Sequence, residues 1–155
     1  MSERVSLPDA AATRALGERL GRAAIAGTTL ALSGPLGAGK TTFAQGFAAG
    51  FGVPGSQRVT SPTFAIWQTY AGRSTLHHLD LYRLEGQDEA DAAGLDEAFS
   101  PDAVSLVEWS ERCPALLPAE HVRVTLAYDA HGGRHATVEA VGPGASAWLM
   151  GLHLQ

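Results

Sequence analysis

Gly34-Pro35-Leu36-Gly37-Ala38-Gly39-Lys40-Thr41 fits the pattern G-x-x-x-x-G-K-[ST] at every fixed position. Upstream runs Thr28-Thr29-Leu30-Ala31-Leu32, an apolar, β-compatible segment. Downstream runs Thr42-Phe43-Ala44-Gln45-Gly46-Phe47-Ala48-Ala49-Gly50-Phe51, which reads as a helix. Strand, glycine loop and helix in that order are the context a phosphate-binding P-loop requires. The glycines let consecutive backbone N–H groups turn inward around a phosphate, and the helix N-terminus adds partial positive charge. Lys40 can reach the β/γ oxygens and the Thr41 hydroxyl can ligate Mg²⁺.

Lys40 is the only lysine in the chain; the other ten basic residues are arginines. An otherwise lysine-free chain keeps one where a compact ammonium must fit beneath a phosphate. The absence of a second lysine also excludes the guanine-reading pattern N-K-x-D, which favours ATP over GTP.

The totals bound the rest. A chain of 155 residues is expected to form one domain over 1–155 with a real core. At 45% hydrophobic and 17% charged it is globular. A net charge of −5 argues against broad, unaided binding to nucleic acid. The lone Cys113 excludes an internal disulfide. No apolar run approaches the ~20 residues of a spanning helix. Met1-Ser2-Glu3-Arg4 lacks the apolar stretch of a signal peptide, so a cytoplasmic location is expected.

Outward from the loop, residues 1–8 read as a tail, and Asp9 as the cap of a first helix with Leu16, Leu20, Ala23 and Ala24 on its apolar face and Gly27 beyond its end. Phe64–Tyr70 and Ser74–Asp80 read as hairpin strands, with His78 on the face of Asp80 and His77 on the other. Gln87–Ala93 is an acidic helical piece, and Ala103–Trp109 a buried strand. Val122–Tyr128 and His135–Val141 form a second hairpin, expected to extend the sheet on its antiparallel side. Ala145–Leu154 reads as a closing helix. The fold class is therefore α/β: a P-loop NTPase-like three-layer fold with a mixed, mainly parallel sheet and antiparallel hairpins.

A P-loop needs a second acid, because Mg²⁺ takes oxygen ligands and keeps several waters. Glu108 and Asp80 each end an apolar strand. Glu108 is assigned to the metal with Thr41, and Asp80 to a metal-linked or attacking water. His78 shares a face with Asp80; it either orients that carboxylate or is a hydrogen-bonded histidine of the core. No histidine or cysteine spacing matches a transition-metal site. Val59-Thr60-Ser61-Pro62-Thr63-Phe64 suits either a polar loop or a segment that folds over a γ-phosphate.

Several segments together resemble one family. Gly34–Thr42 as G-x-L-G-A-G-K-T-T, Val59–Phe64 as V-x-S-P-T-F, His78–Leu84 as H-x-D-x-Y-R-L, and Val107–Glu111 as x-E-W-x-E look like the TsaE family of tRNA threonylcarbamoyladenosine biosynthesis proteins. The resemblance implies a cytoplasmic Mg-dependent ATPase that assists partners TsaD and TsaB, which would modify the adenosine beside the anticodon of tRNAs reading ANN codons. Contact with tRNA would be indirect. The resemblance further implies that Gly37, Ala38, Gly39, Lys40, Thr41 and Thr42 hold the phosphates, that Thr41 and Glu108 hold Mg²⁺, and that Asp80 supports hydrolysis. Ser61 and Thr63 would lie in a switch-like segment, Trp109 near the site or a partner, and Thr13, Glu111 and Arg134 near the nucleotide. The family commonly has Asp where Pro35 stands; the backbone carbonyl remains, so little effect on phosphate binding is expected. Two other readings use the same P-loop: a small-molecule kinase, which would need an arginine-rich lid, and a nucleotide-gated binding module with negligible hydrolysis.

Overall fold

The computed structural model describes residues 1–154. Seven strands form one sheet in the order β1-β7-β6-β2-β5-β4-β3. They are β1 (Ser2–Leu7), β2 (Thr29–Ser33), β3 (Trp67–Ala71), β4 (Thr75–Asp80), β5 (Val104–Glu108), β6 (His121–Tyr128) and β7 (Arg134–Val141). The helices are α1 (Ala10–Ala23), α2 (Lys40–Gly50), α3 (Gln87–Ala92) and α4 (Pro143–Met150). β6, β2, β5 and β4 pair in parallel, while β3, β7 and β1 attach through antiparallel contacts.

Alternation along the strands makes two cores. Leu30, Leu32, Leu76, Leu106 and Val124 face Phe43 and Phe47 of α2 and Leu16 and Leu20 of α1. On the other face, Leu79 and Val107 meet Ala90 of α3, Leu95 and Leu116 of short 3₁₀ turns, and Cys113 between two such turns. Sheet residues covered on both sides give the three layers expected of the fold class.

The segment 1–8, expected to be a tail, is instead an edge strand. β1 pairs antiparallel with β7 from Ser2↔Glu139 to Leu7↔Arg134. Val5 and Leu7 alternate with exposed Arg4 and Ser6, a period-2 pattern short enough to pass as a tail. The first hairpin also starts later than expected. Phe64 is 84% exposed and lies outside β3, because Ile66 takes a left-handed φ of 68° and its N–H donates to Pro62 O at 2.6 Å. The second hairpin joins the sheet through a parallel contact, β6 against β2, and only β7 and β1 beyond it are antiparallel. α1 ends before Gly27: Ala24 is its cap, and Gly27 turns with φ 88° to donate to Ala103 O.

α1 starts where expected. The Asp9 carboxylate caps it by accepting from Ala12 N at 2.8 Å. Its contact with α2 rests on something else: Gly17 and Gly21 on one helix, Gly46 and Gly50 on the other. A Cβ at any of the four would collide with a backbone carbonyl of the opposite helix, Phe43, Phe47, Arg14 and Glu18 respectively. The spacing of four residues on both helices lets the backbones touch along one seam. This seam fixes the helix that begins at Lys40, directly after the glycine loop. Gly46→Ala is therefore expected to destabilise the protein by roughly 2–3 kcal/mol, the upper range for overpacking. Gly55→Ala, where a Cβ meets nothing within 4 Å, is the control. Urea unfolding with an unchanged slope measures the difference.

Candidate functional site

The chain leaves β2 at Ser33 and re-enters helix at Lys40, and the loop between turns on Gly37 (φ 80°) and Gly39 (φ 106°). Those angles are open to glycine and strained for other residues. Pro35 supplies its carbonyl to Ala38 N at 3.1 Å and so closes a turn of the loop. α2 has no side-chain N-cap and no acid in its first turn. Its free N–H groups and positive dipole end are left uncompensated, facing a cavity.

That cavity has a volume of about 410 Å³ and is lined by Leu36, Gly37, Gly39, Lys40, Thr41, Thr42, Ser61, Thr63, Asp80, Glu108, Trp109 and Arg134. It lies at the C-terminal edge of the parallel strands, where open α/β sheets take their ligands. Asp80 and Glu108 are Cα partners across β4 and β5, and Glu108 pairs with Leu32 of β2. Strand register therefore brings both carboxylates to the same rim as the loop.

The two acids have different surroundings, although each is 2% exposed. Both oxygens of Asp80 are engaged: Oδ1 accepts from Tyr82 N at 3.0 Å and Oδ2 from the Thr63 hydroxyl at 2.9 Å. Glu108 takes both of its hydrogen bonds on Oε2, from the Ser61 hydroxyl at 2.9 Å and from His78 Nε2 at 2.7 Å. Ser61 Oγ also lies 3.2 Å from Thr41 Oγ1. Since Ser61 gives its hydrogen to Glu108, Thr41 is the donor in that contact. Thr41, Ser61 and Glu108 thus form a continuous chain of hard oxygen atoms beside the helix N-terminus. Such a donor set fits Mg²⁺. Among the described residues no group of three or more His, Cys, Asp or Glu is gathered for a metal. A cation here would draw its remaining ligands from outside the protein.

Lys40 Nζ donates to Gly34 O at 2.6 Å and sits 4.4 Å from the centre of the Trp109 ring. Trp109 reaches that place through a left-handed backbone, φ 59°, as the chain turns out of β5. For a residue without glycine's freedom this costs roughly 1–2 kcal/mol. Tyr82 packs on the other ring contact of Trp109 at 4.9 Å, and Arg112 lies over Tyr82.

Of the remaining candidates, Thr13 is fully buried below the loop: a Cβ on Gly39 would be 3.2 Å from its Cγ2. Ala38 is buried within the loop, and Arg134 enters the cavity from the start of β7. Glu111 is exposed on the 3₁₀ turn after Trp109 and does not line the cavity. The histidine shared with Asp80's face bonds to Glu108 and not to Asp80. Tyr128 was not singled out by any motif, yet its hydroxyl donates to Gly37 O at 2.7 Å and ties β6 to the loop. On the opposite face His77 accepts from Trp67 Nε1 at 3.0 Å, and burial pushes its pKa down.

A sequence profile for the family described as "Threonylcarbamoyl adenosine biosynthesis protein TsaE" matches residues 7–136. The chain belongs to the TsaE family. It is 41% identical over 131 residues to the tRNA threonylcarbamoyladenosine biosynthesis protein TsaE of Bacillus subtilis (strain 168), covering 84% of this chain and 80% of that one. It is 38% identical over 122 residues to the TsaE of Treponema pallidum (strain Nichols), covering 79% and 89%. Its fold matches the crystal structure of Bacillus subtilis YdiB with a TM-score of 0.83 at 32% identity, covering 98% of this chain and 94% of that one. The TsaE match spans the loop, both carboxylates, Trp109 and Arg134, so the whole cavity lies inside the shared region. Among the described residues no helix is long and apolar enough to cross a membrane.

Proposed function

We propose that this chain is a Mg²⁺-dependent ATPase whose hydrolysis serves partners of the TsaD and TsaB type in forming N6-threonylcarbamoyladenosine beside the anticodon of tRNAs reading ANN codons. The observation that carries the reading is the meeting, in one cavity, of an uncapped helix N-terminus, the sole lysine and the Thr41–Ser61–Glu108 oxygen chain. Backbone N–H groups of residues 37–42 hold phosphate oxygens, and Lys40 adds a mobile point charge. Thr41 and Glu108 hold the metal, with Ser61 alongside. Held by Thr41 and Glu108, Mg²⁺ would supply positive charge against the charge that develops on the phosphate oxygens. Asp80 orients the attacking water, and Arg134 is the arginine that faces the phosphates from within the chain. The preference for ATP rests on the missing N-K-x-D pattern.

A partner that completes the site is supported by the cavity mouth. Leu36, which lines the cavity, and Phe64, next in sequence to the lining residue Thr63, are large apolar side chains 88% and 84% exposed. Such apolar side chains at the rim of the cavity offer contacts to another protein. A net charge of −5 supports tRNA contact through those partners. In this reading the protein works in the cytoplasm, where tRNA is modified.

The test is phosphate release from Mg-ATP with and without TsaD and TsaB. Slow turnover alone and at least roughly tenfold faster turnover with both partners is expected, since a group supplied in trans commonly adds far more than that. Full-rate hydrolysis in isolation overturns the partner dependence. Absence of phosphate release with both partners present overturns the ATPase reading.

A further inference from the structure

His78 has no assigned role in the chemistry described above, and its environment is unusual. It is 1% exposed, on the face of β4 that carries Leu76 and Asp80. Its Cα partner on β5 is Leu106, two residues before Glu108. The imidazole therefore reaches diagonally across the strand pair toward the cavity, the separation that long side chains span on one sheet face. Its Nε2 lies 2.7 Å from Glu108 Oε2. A carboxylate oxygen only accepts, so Nε2 carries the hydrogen. Nδ1 is buried with no hydrogen-bond partner among the described residues.

The orphaned Nδ1 matters. A buried polar atom without a partner is destabilising. A leucine at this position, like its neighbours Leu76 and Leu106, would fill the same core without that cost. The stability of the core therefore does not explain the imidazole, while its contact with Glu108 does. A glutamate side chain loses rotamer freedom when held in place. Two donors hold this one. Ser61 belongs to a loop and shares its oxygen with Thr41. His78 is anchored in the sheet, so it is the fixed point against which the carboxylate is set.

We infer that His78 is a positioning residue: its Nε2–H fixes the Glu108 carboxylate so that the free oxygen meets Mg²⁺. The inference rests on the metal reading of Glu108 given above. Groups that orient a metal ligand from behind are worth about 10–100-fold in metal affinity.

The test compares His78→Leu with His78→Gln, since glutamine carries an N–H₂ at about the reach of imidazole Nε2. Binding of a fluorescent ATP analogue is followed in EDTA and then across a Mg²⁺ titration. In EDTA all three proteins are expected to bind within about threefold of each other, because metal orientation plays no part there. The Mg²⁺ midpoint is expected to rise at least about tenfold in His78→Leu and under about threefold in His78→Gln. An unchanged midpoint in His78→Leu overturns the inference. So does a glutamine variant as impaired as the leucine one, since the donor would then be irrelevant. Binding in the parent that ignores Mg²⁺ overturns the metal reading itself, and the positioning role with it.

Discussion

Lys40→Ala is expected to weaken ATP binding by at least about 100-fold, the loss of one strong charge-assisted hydrogen bond and the close charge behind it. The cavity has few other cations. Arg134 is the only arginine lining it among the described residues, and the acids Asp80 and Glu108 sit on the same rim. Without Lys40, the phosphates of a nucleotide face two buried carboxylates with one guanidinium and the helix dipole to offset them. A helix N-terminus supplies typically 0.3–1 kcal/mol for an exposed charge, too little to replace an ammonium. Folding is expected to survive. Lys40 bonds within the native state to Gly34 O and packs over Trp109, both at the edge of the cavity, and the seam that fixes α2 lies beyond it. Lys40→Arg is expected to be nearly as weak a binder, because a planar fork does not fit where a compact charge turns beneath the loop. Fluorescent-nucleotide titration measures both, with thermal unfolding as the check on fold. Unchanged affinity in Lys40→Ala would remove the phosphate site from this loop.

Much of this site was legible because its motifs are local. The loop, its strand and its helix follow one another in sequence, and the strand ends carrying Asp80 and Glu108 announce themselves as apolar runs stopped by an acid. Sheet register then does the rest, since parallel β2, β5 and β4 bring their C-terminal ends to one rim. What the sequence left open depends on long-range pairing. His78 alternates with Asp80 on one strand, and only the neighbouring strand decides that its partner is Glu108. Tyr128 meets Gly37 across 91 positions of chain, with no motif to signal it.

The fold shows the same division. The hairpins and the capped α1 come from short-range patterns. β1 is a strand only because β7 offers it an edge, and Val5 and Leu7 alone make too brief an alternation to demand one. Phe64 looked like a strand residue by composition. The turn set by Pro62 and Ile66 holds it out of the sheet instead. The seam between α1 and α2 uses two glycine pairs at spacing four, Gly17 with Gly21 and Gly46 with Gly50, and only the packing of the two helices gives that spacing its meaning.

Glu108→Ala is expected to lower Mg-dependent ATP turnover by at least about 100-fold, while ATP binding in EDTA stays near that of the parent. The two carboxylates differ in the oxygen each has to offer. Asp80 has one oxygen held by Tyr82 N–H and the other by Thr63. Glu108 receives both donors on Oε2, and it is Glu108 that Ser61 links to Thr41. Removing Glu108 therefore takes away the acid end of the oxygen chain beside the phosphate loop. It also relieves negative charge facing the nucleotide, which is why metal-free binding is expected to hold or improve slightly. Asp80→Ala is expected to give the opposite split: turnover falls, while the Mg²⁺ midpoint of nucleotide binding stays close to the parent's. Phosphate-release rates and Mg²⁺ titrations on the two variants read both quantities. If Asp80→Ala shifts the Mg²⁺ midpoint and Glu108→Ala does not, the roles of the two carboxylates are exchanged, and Thr63 takes the place beside the metal that Ser61 holds in this assignment.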